Sequence, residues 1–410
     1  FADCCEDVRS PVAGLTAQEQ GEKLAGAADM IGYNRYYGWY YPEPLKAREQ
    51  LAAQMDKFHA KHPTLPISIS EYGAGGAISQ HSDNPMGGFV NATGRPQPEE
   101  YQSWVHEQSW PVIRDRPFIF GSYVWNMFDF ASDLRNEGDS VDINTKGLVT
   151  FDHKTRKDGF YYYQANWTTA PMIHVTGSRY VDRAYSLVDV RAYSNAPVAQ
   201  LLVNTISAGE AKCPDHICVW PGVLLRPGSN QVVATISVGS QVIADAVTWN
   251  GPESAQGIRI DAGDIAGRLI GNRRFGSDTF VTGGTPAVLN PGGFGARRAV
   301  PKTVAAADPA LYDYWREGAG FSYAVPVPDG HWTVTIHSFE PRAAPSDAVV
   351  MTVKANGKIA LPPFNVKQAA GGPLKGLARS FPVSVKGGML TLDFSAVGGK
   401  AVVAAIEVGR

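Results

Sequence analysis

Two stretches of this chain combine residue types suited to chemistry on sugars. The first, Pro66-Ile-Ser-Ile-Ser-Glu-Tyr-Gly73, is an apolar run that ends in a carboxylate followed by glycines at 73, 75 and 76. A carboxylate at the C-terminal end of a buried strand stands where barrel enzymes place their catalytic groups. By position alone, a Glu leaving a strand is more often an ordinary surface residue. The second stretch, Gly32-Tyr-Asn-Arg-Tyr-Tyr-Gly-Trp-Tyr-Tyr41, crowds six aromatics and one Asn into ten residues. Aromatic faces stack on the apolar side of pyranose rings, and Asn with Tyr hydroxyls can hydrogen-bond sugar hydroxyls or a nucleophilic carboxylate. A packed aromatic core is the alternative, though Asn34, Arg35 and Gly38 suit a loop platform better.

Other polar residues read less sharply. His81, His106 and His153 have no companion at metal-ligand spacing, so ordinary polar roles are expected, with no metal and no cofactor. Asp129 and Asp133 fit sugar contacts or loop capping equally. Cys4 with Cys5, and Cys213 with Cys218, match no zinc pattern. The second pair flanks Pro214-Asp215, and a small loop-closing disulfide or two free thiols both fit.

The elements that must position these residues change along the chain. Apolar runs at Met30 to Tyr33, Ile67 to Glu71 and Phe118 to Trp125 read as buried parallel strands. Between the first two, Leu51, Met55 and Phe58 recur at helical spacing within Glu43 to His62, with Pro44 near the start. A loop rich in Asp, Asn and Gly follows from Asn126 to Lys146, then an aromatic run from Phe160 to Trp167. Such repeated units build either an open doubly wound sheet or part of a (β/α)₈ barrel, and pattern does not choose. From Pro171 the texture becomes short alternating strands between turns, as at Leu187 to Tyr193, Gln200 to Val203 and Gln231 to Ile236, which predicts a small β-sandwich. Asn250 to Gly257 reads as a linker. Beyond it, Phe321 to Val327, His331 to His337, Val349 to Ala355 and Met389 to Phe394 alternate, with Pro328-Asp329-Gly330 as a hairpin turn, and a second sandwich of jelly-roll type is expected.

The 410 residues allow two or three domains, and their 37 basic against 39 acidic side chains imply neither a nucleic-acid partner nor a polyanion. No apolar run of membrane-spanning length occurs, so no membrane partner is expected. Phe1 to Cys5 shows neither a natural start nor a signal peptide. The compartment stays open, with periplasmic or secreted placement favoured, and oligomeric state is not legible.

Four blocks, Asn34-Arg-Tyr-Tyr-Gly-Trp-Tyr40, Ser70-Glu-Tyr-Gly73, Val124-Trp-Asn126 and Lys146-Gly-Leu-Val149 with Asp152 and Lys154, resemble successive blocks of the catalytic barrel of family 2 glycoside hydrolases in order and spacing. The resemblance implies that residues 1–168 are the C-terminal half of a (β/α)₈ TIM barrel. Glu71 would be the nucleophile ending the seventh strand, Asn34, Tyr36 and Tyr40 would follow the sixth, and Trp125 would end the eighth as a pocket wall. Residues 169–250, through Tyr193-Ser-Asn195, Leu201-Leu-Val-Asn204, Trp220 and Pro227-Gly-Ser-Asn230, resemble the immunoglobulin-like β-sandwich that follows this barrel. Residues 258–410, through Ile260-Asp-Ala-Gly263, Gly283-Gly284 and Phe321-Ser-Tyr323, resemble a malectin-like jelly-roll β-sandwich. There Tyr312, Tyr314, Trp315 and Arg316 are candidates for a carbohydrate-binding face, with structural packing as the alternative.

The activity so implied is retaining, exo-acting β-glycoside hydrolysis by double displacement, which needs two carboxyl groups about 5 to 5.5 Å apart. In the family the acid/base Glu belongs to an Asn-Glu pair on the fourth strand; no such pair precedes Asn34, and Asn136-Glu137 comes after the eighth strand. The polypeptide alone is therefore expected to be inactive or nearly so. Asn144-Thr-Lys146 resembles the Asn-x-Lys pair with which β-glucuronidases of the family hold the sugar carboxylate, whereas in related β-galactosidases the same Lys orients the loop. The accessory modules weight the expectation toward a β-galactoside or related oligosaccharide, with β-glucuronide hydrolysis and a non-catalytic carbohydrate-binding protein as alternatives.

Overall fold

The computed structural model describes residues 2–3, 29–61, 63–253, 257–292, 301–342 and 349–410. Cys4, Cys5, His62 and the middle of the expected linker lie outside the described residues.

Four parallel strands form one sheet in the order β1 (Ala2–Asp3), β2 (Ile31–Asn34), β3 (Ile67–Tyr72) and β4 (Ile119–Val124). Helix α1 (Ala47–Lys61) joins β2 to β3 and buries Ala47, Leu51, Met55 and Phe58, spaced four, four and three residues apart on one face. A short 3₁₀ turn, Pro44–Lys46, leads into it. Helix α2 (Glu99–Arg114) joins β3 to β4. The sequence shows no helical pattern here because half of what it buries is polar, including Glu99, Gln102, Ser103, His106, Glu107 and Ser109, and because Pro111 lies inside it. The expected loop from Asn126 to Lys146 contains an antiparallel hairpin, β5 (Phe130–Glu137) and β6 (Ser140–Asn144), turned at Gly138 with φ 55°. Helix α3 (Asp158–Trp167) holds the aromatic run and buries Tyr162 and Tyr163 against the helices and strands before it.

The remainder is antiparallel β-structure in two sandwiches. In the first, a four-stranded sheet in the order Ile206–Lys212, Val198–Val203, Gly228–Val238, Gln241–Gly251 faces a three-stranded sheet of Ile217–Leu224, Leu187–Ser194 and Ile173–Val175. Val190, Leu201, Trp220, Val232 and Trp249 fill the space between them. Cys213 and Cys218 are joined as a disulfide at the edge of this core. In the second, Ile258–Asp261, Ala405–Gly409, Gly330–Ser338 and Leu377–Val385 form one sheet. Val281–Val288, Tyr314–Pro326, Met389–Val397, Val350–Ala355 and Lys358–Phe364 form the other, with Ala401–Val403 paired to its second strand. Pro328-Asp329-Gly330 is not a hairpin turn: the strands on either side belong to opposite sheets, so the turn carries the chain across the core. Asp329 accepts from the Gly388 N–H at 2.7 Å.

The three regions are joined by polar contacts. Glu107 of α2 accepts from Arg191 at 2.7 Å and from Tyr193 at 2.6 Å. The Phe89 N–H donates to the Gly263 carbonyl at 2.8 Å, tying the loop after β3 to the second sandwich.

Candidate active site

Asn34 and Glu71 stand opposite one another at the C-terminal ends of β2 and β3. The Arg35 N–H donates to the Glu71 carbonyl at 2.8 Å, and the Ser70 hydroxyl donates to Asn34 Oδ1 at 2.7 Å. Ser70 thus holds Asn34 by its oxygen and leaves the amide NH₂ for another acceptor. The chain turns after β2, and the Trp39 and Tyr40 N–H groups both donate to the Tyr36 carbonyl. This turn aims the Tyr36 phenol at Glu71 Oε2, 2.6 Å away. Burial first, then the hydrogen bond and charge of Glu71, hold the Tyr36 phenol far above its usual pKa, so it remains a donor.

Gly73 follows with φ 150°, and a Cβ there would meet the Trp125 carbonyl oxygen at 2.6 Å. Only glycine lets the end of β3 lie this close to the end of β4. The Trp125 N–H donates to the Tyr72 carbonyl at 2.8 Å, and its ring meets Phe130 edge-on at 5.8 Å. Next to it the Asn126 N–H donates to the Lys146 carbonyl, and the Leu148 N–H donates to the Asn126 carbonyl. These bonds fix the segment carrying Asn144 and Lys146 beside the end of β4.

Tyr40 meets Tyr36 edge-on at 5.3 Å. The Lys146 ammonium lies 5.2 Å from the Tyr40 ring centroid and 5.8 Å from that of Trp39. Lys146 is 1% exposed, and its Nζ has neither hydrogen bond nor ion pair among the described residues. Asn144, also buried, accepts from the Lys146 N–H at 3.1 Å, which shapes the turn between them.

Parts of the chain are similar to known glycosidases. The chain is 40% identical over 245 residues to a β-glucuronidase of Bacteroides fragilis, covering 59% of this chain and 34% of that protein. It is 30% identical over 260 residues to β-galactosidase BoGH2A of Bacteroides ovatus, covering 60% and 29%. The fold matches that of Bacteroides uniformis β-glucuronidase 2 covalently bound to cyclophellitol-6-carboxylate aziridine, with TM-score 0.60, 22% identity, and coverage of 96% of this chain and 47% of that one. The chain is a relative of family 2 glycoside hydrolases. It spans less than half the length of these relatives. Residues 186–243 also match a family model described as a domain of unknown function, DUF4982.

Two features of the site have no signal in the sequence pattern. Arg135 of β5 donates to the Tyr40 hydroxyl at 3.1 Å and to Glu137 Oε1 at 2.7 Å, which places a second cation next to Tyr40. Its arrival depends on the hairpin, whose polar, half-exposed strands gave no period-two signal. Lys157, fully buried, donates to the Gly76 and Thr145 carbonyls and to Asp129 Oδ1 at 2.8 Å. Asp129 Oδ1 also accepts from the Gly147 N–H at 2.8 Å. Burial lowers the Lys157 pKa and raises that of Asp129, and their mutual attraction offsets this only in part. Asp129 is thus a bolt behind the Lys146 segment, while Asp133 is exposed on the hairpin.

The histidines have structural partners: His81 pairs with Glu100 at 3.0 Å, His106 with the Tyr163 hydroxyl at 2.9 Å, and His153 stacks on Phe128 at 4.0 Å. The expected aromatic face in the second sandwich is not a free surface, because Tyr312, Tyr314, Trp315 and Arg316 are all buried. Tyr314 donates to the Arg95 carbonyl at 2.5 Å. Arg316 pairs with Asp278 at 2.7 Å and donates to the carbonyl of Gly87. Tyr314 and Arg316 seal the second sandwich against the loop after β3, while Tyr312 and Trp315 pack against Phe339 inside it, which consumes the surfaces a sugar would need.

Proposed function

We propose that this chain supplies the nucleophile side of a retaining exo-β-glycosidase. Residues 1–168 would form half of a (β/α)₈ barrel, 169–250 an immunoglobulin-like sandwich and 258–410 a malectin-like one. Among the described residues the outer edge of β4 is unpaired and Phe120 and Tyr123 are exposed, which supports completion of the sheet by further strands. In this reading Glu71 attacks the anomeric carbon through Oε1, the oxygen that Tyr36 leaves unbonded. Tyr36 holds the carboxylate in line, the Asn34 amide binds a ring hydroxyl, and Trp125 walls the pocket. The acid/base carboxyl comes from elsewhere, so the 410-residue polypeptide alone hydrolyses aryl glycosides slowly or not at all.

One observation bears on the substrate. Lys146 is buried with no anionic partner among the described residues, and a buried ammonium is costly unless a ligand supplies the anion. Beside Asn144, and with Arg135 close to the same Tyr40, it suits the carboxylate of a β-glucuronide. This moves the balance from the β-galactoside weighted in the sequence toward the glucuronide, in keeping with the names most of the relatives carry. The galactoside reading rests on the relative named as a β-galactosidase. Supplying the chain with the preceding half of a family 2 barrel and comparing aryl β-D-glucuronide with aryl β-D-galactoside hydrolysis tests the choice. Preference for the galactoside overturns it.

A further inference from the structure

The hairpin of β5 and β6 reaches the candidate site through Arg135, which donates to the Tyr40 hydroxyl, and Tyr40 in turn meets Tyr36, the donor to Glu71. Most residues of this hairpin are exposed or half-buried, so apolar burial does little to fix where it stands. Bonds from the loop after β3 fix it instead. Arg95 Nη2 donates to Asn136 Oδ1 on β5 and to the Ser140 carbonyl on β6, both at 2.9 Å, so one guanidinium spans the two strands. Around it, the Gly138 N–H donates to the Gly94 carbonyl at 3.2 Å, Gln80 donates to the Gly138 carbonyl at 3.0 Å, and the Ser79 hydroxyl donates to Asp139 at 2.8 Å.

The same loop is seated on the second sandwich at these or adjoining residues. The carbonyl of His81, next to Gln80, accepts from the Gly267 N–H at 3.0 Å. The Arg95 carbonyl accepts from the hydroxyl of the buried Tyr314, and from the Asn91 side chain at 3.3 Å. Arg95 therefore faces both ways: its carbonyl is held by the sandwich, and its guanidinium holds the hairpin. We propose that Arg95 is a positioning residue of the Glu71 site, which with Tyr314 makes the second sandwich a brace for the hairpin and thereby sets how tightly Arg135 and its neighbours hold an anionic sugar. The inference rests on the glucuronide reading of that site. A displacement of about 1 Å far from the reacting atoms can cost on the order of a hundredfold, so a brace at this distance can govern the site. It also gives the buried Tyr314 a task that a sugar-binding face does not.

Two measurements test it. Hydrogen exchange of the 410-residue chain, read by mass spectrometry, reports on the hairpin whatever the chain hydrolyses. Arg95→Ala changes an exposed side chain and is expected to speed exchange of the hairpin amides about tenfold, leaving the strand Leu187–Ser194 as in the parent. Tyr314→Phe keeps the buried ring and is expected to speed it about threefold, since Asn91 still holds the carbonyl, and to add nothing in the Arg95→Ala background. Arg95→Lys, which can keep one of the two bonds, is expected to restore part of the protection. Once the preceding half of a family 2 barrel is supplied, Arg95→Ala is expected to raise KM for an aryl β-D-glucuronide about tenfold, with kcat within about twofold of the parent. The proposal is overturned if the hairpin exchanges alike in the parent, Arg95→Ala and Tyr314→Phe, or if the glucuronide KM does not move. A parent assembly that hydrolyses neither glucuronide nor galactoside overturns the glycosidase reading instead, and hairpin exchange still decides the brace.

Discussion

The Lys146 ammonium sits over the Tyr40 ring at 5.2 Å, and the Tyr40 hydroxyl accepts from Arg135 at 3.1 Å. One aromatic thus stands between two cations, of which, among the described residues, only Arg135 has a carboxylate partner, Glu137. Replacing Lys146 by Met removes a desolvated charge while keeping most of the packed stem. Thermal unfolding should show a gain of about 1–3 kcal/mol. The same variant should react with a carboxylate-bearing inhibitor at least about tenfold more slowly. Unchanged reactivity would detach Lys146 from substrate choice.

Tyr36→Phe removes the hydrogen bond to Glu71 Oε2. A bond to a charged group contributes about 1.5–3 kcal/mol, so inactivation of Glu71 by a mechanism-based reagent should slow about tenfold to a hundredfold. Circular dichroism should not change, since the ring and its contact with Tyr40 persist. Equal rates in both proteins would mean that Tyr36 does not orient the carboxylate.

Lys157→Met leaves Asp129 buried without its ion-pair partner and unties the Gly76 and Thr145 carbonyls. Breaking a buried pair by removing one partner costs about 3–5 kcal/mol. Denaturant unfolding should show that loss, and Lys157→Met with Asp129→Leu should recover part of it. Gly147 should be equally intolerant, because a Cβ there would meet the Asp129 N at 2.1 Å.

His174 joins the barrel-like region to the first sandwich through Asp158 at 3.1 Å and Asp245 at 3.2 Å. Burial pulls its pKa down, but the bonds and charges of the two aspartates more than offset this and carry it up to about 9. The pKa is raised on folding, so the stabilisation is complete below about 6.5 and is lost as pH rises through 9. Its size is on the order of 3 kcal/mol. Glu99, pushed up to about 7 by burial and then by the Asp158 charge, acts in the same direction at lower pH. The lowered pKa values of Asp158 and Asp245 act only in acid. The melting temperature should therefore fall between pH 6.5 and 9, and His174→Gln should flatten that slope. A slope unchanged by the substitution would place the titration elsewhere.

What could be read in the sequence was what period and local motif encode. The apolar face of α1, the strand ending at Tyr72 and the approach of Asn34 and Tyr36 to Glu71 follow from adjacent residues and from two parallel strands in register. Helix α2 could not be read this way, because its buried side uses Glu99, Gln102 and Glu107 to bond other elements, and burial of paired polar groups leaves no hydrophobic period. The hairpin that delivers Arg135 is built from strands open to solvent on much of their surface, so nothing in its composition distinguishes it from a loop. Tyr312 to Arg316 misled for the opposite reason. Aromatics next to Arg suit a sugar platform and an interface between domains equally, and only the fold brings Gly87 and Arg95 against them.

In the proposed function Glu71 is the attacking carboxylate of a site selective for an anionic sugar. Supplying the protein with the preceding half of the barrel, incubating it with cyclophellitol-6-carboxylate aziridine and mapping the adduct by peptide mass spectrometry tests it most directly. The expected result is one adduct on Glu71, absent in Glu71→Gln, with little labelling by the galactose-configured aziridine. An adduct on another residue, or equal labelling by both reagents, would contradict it.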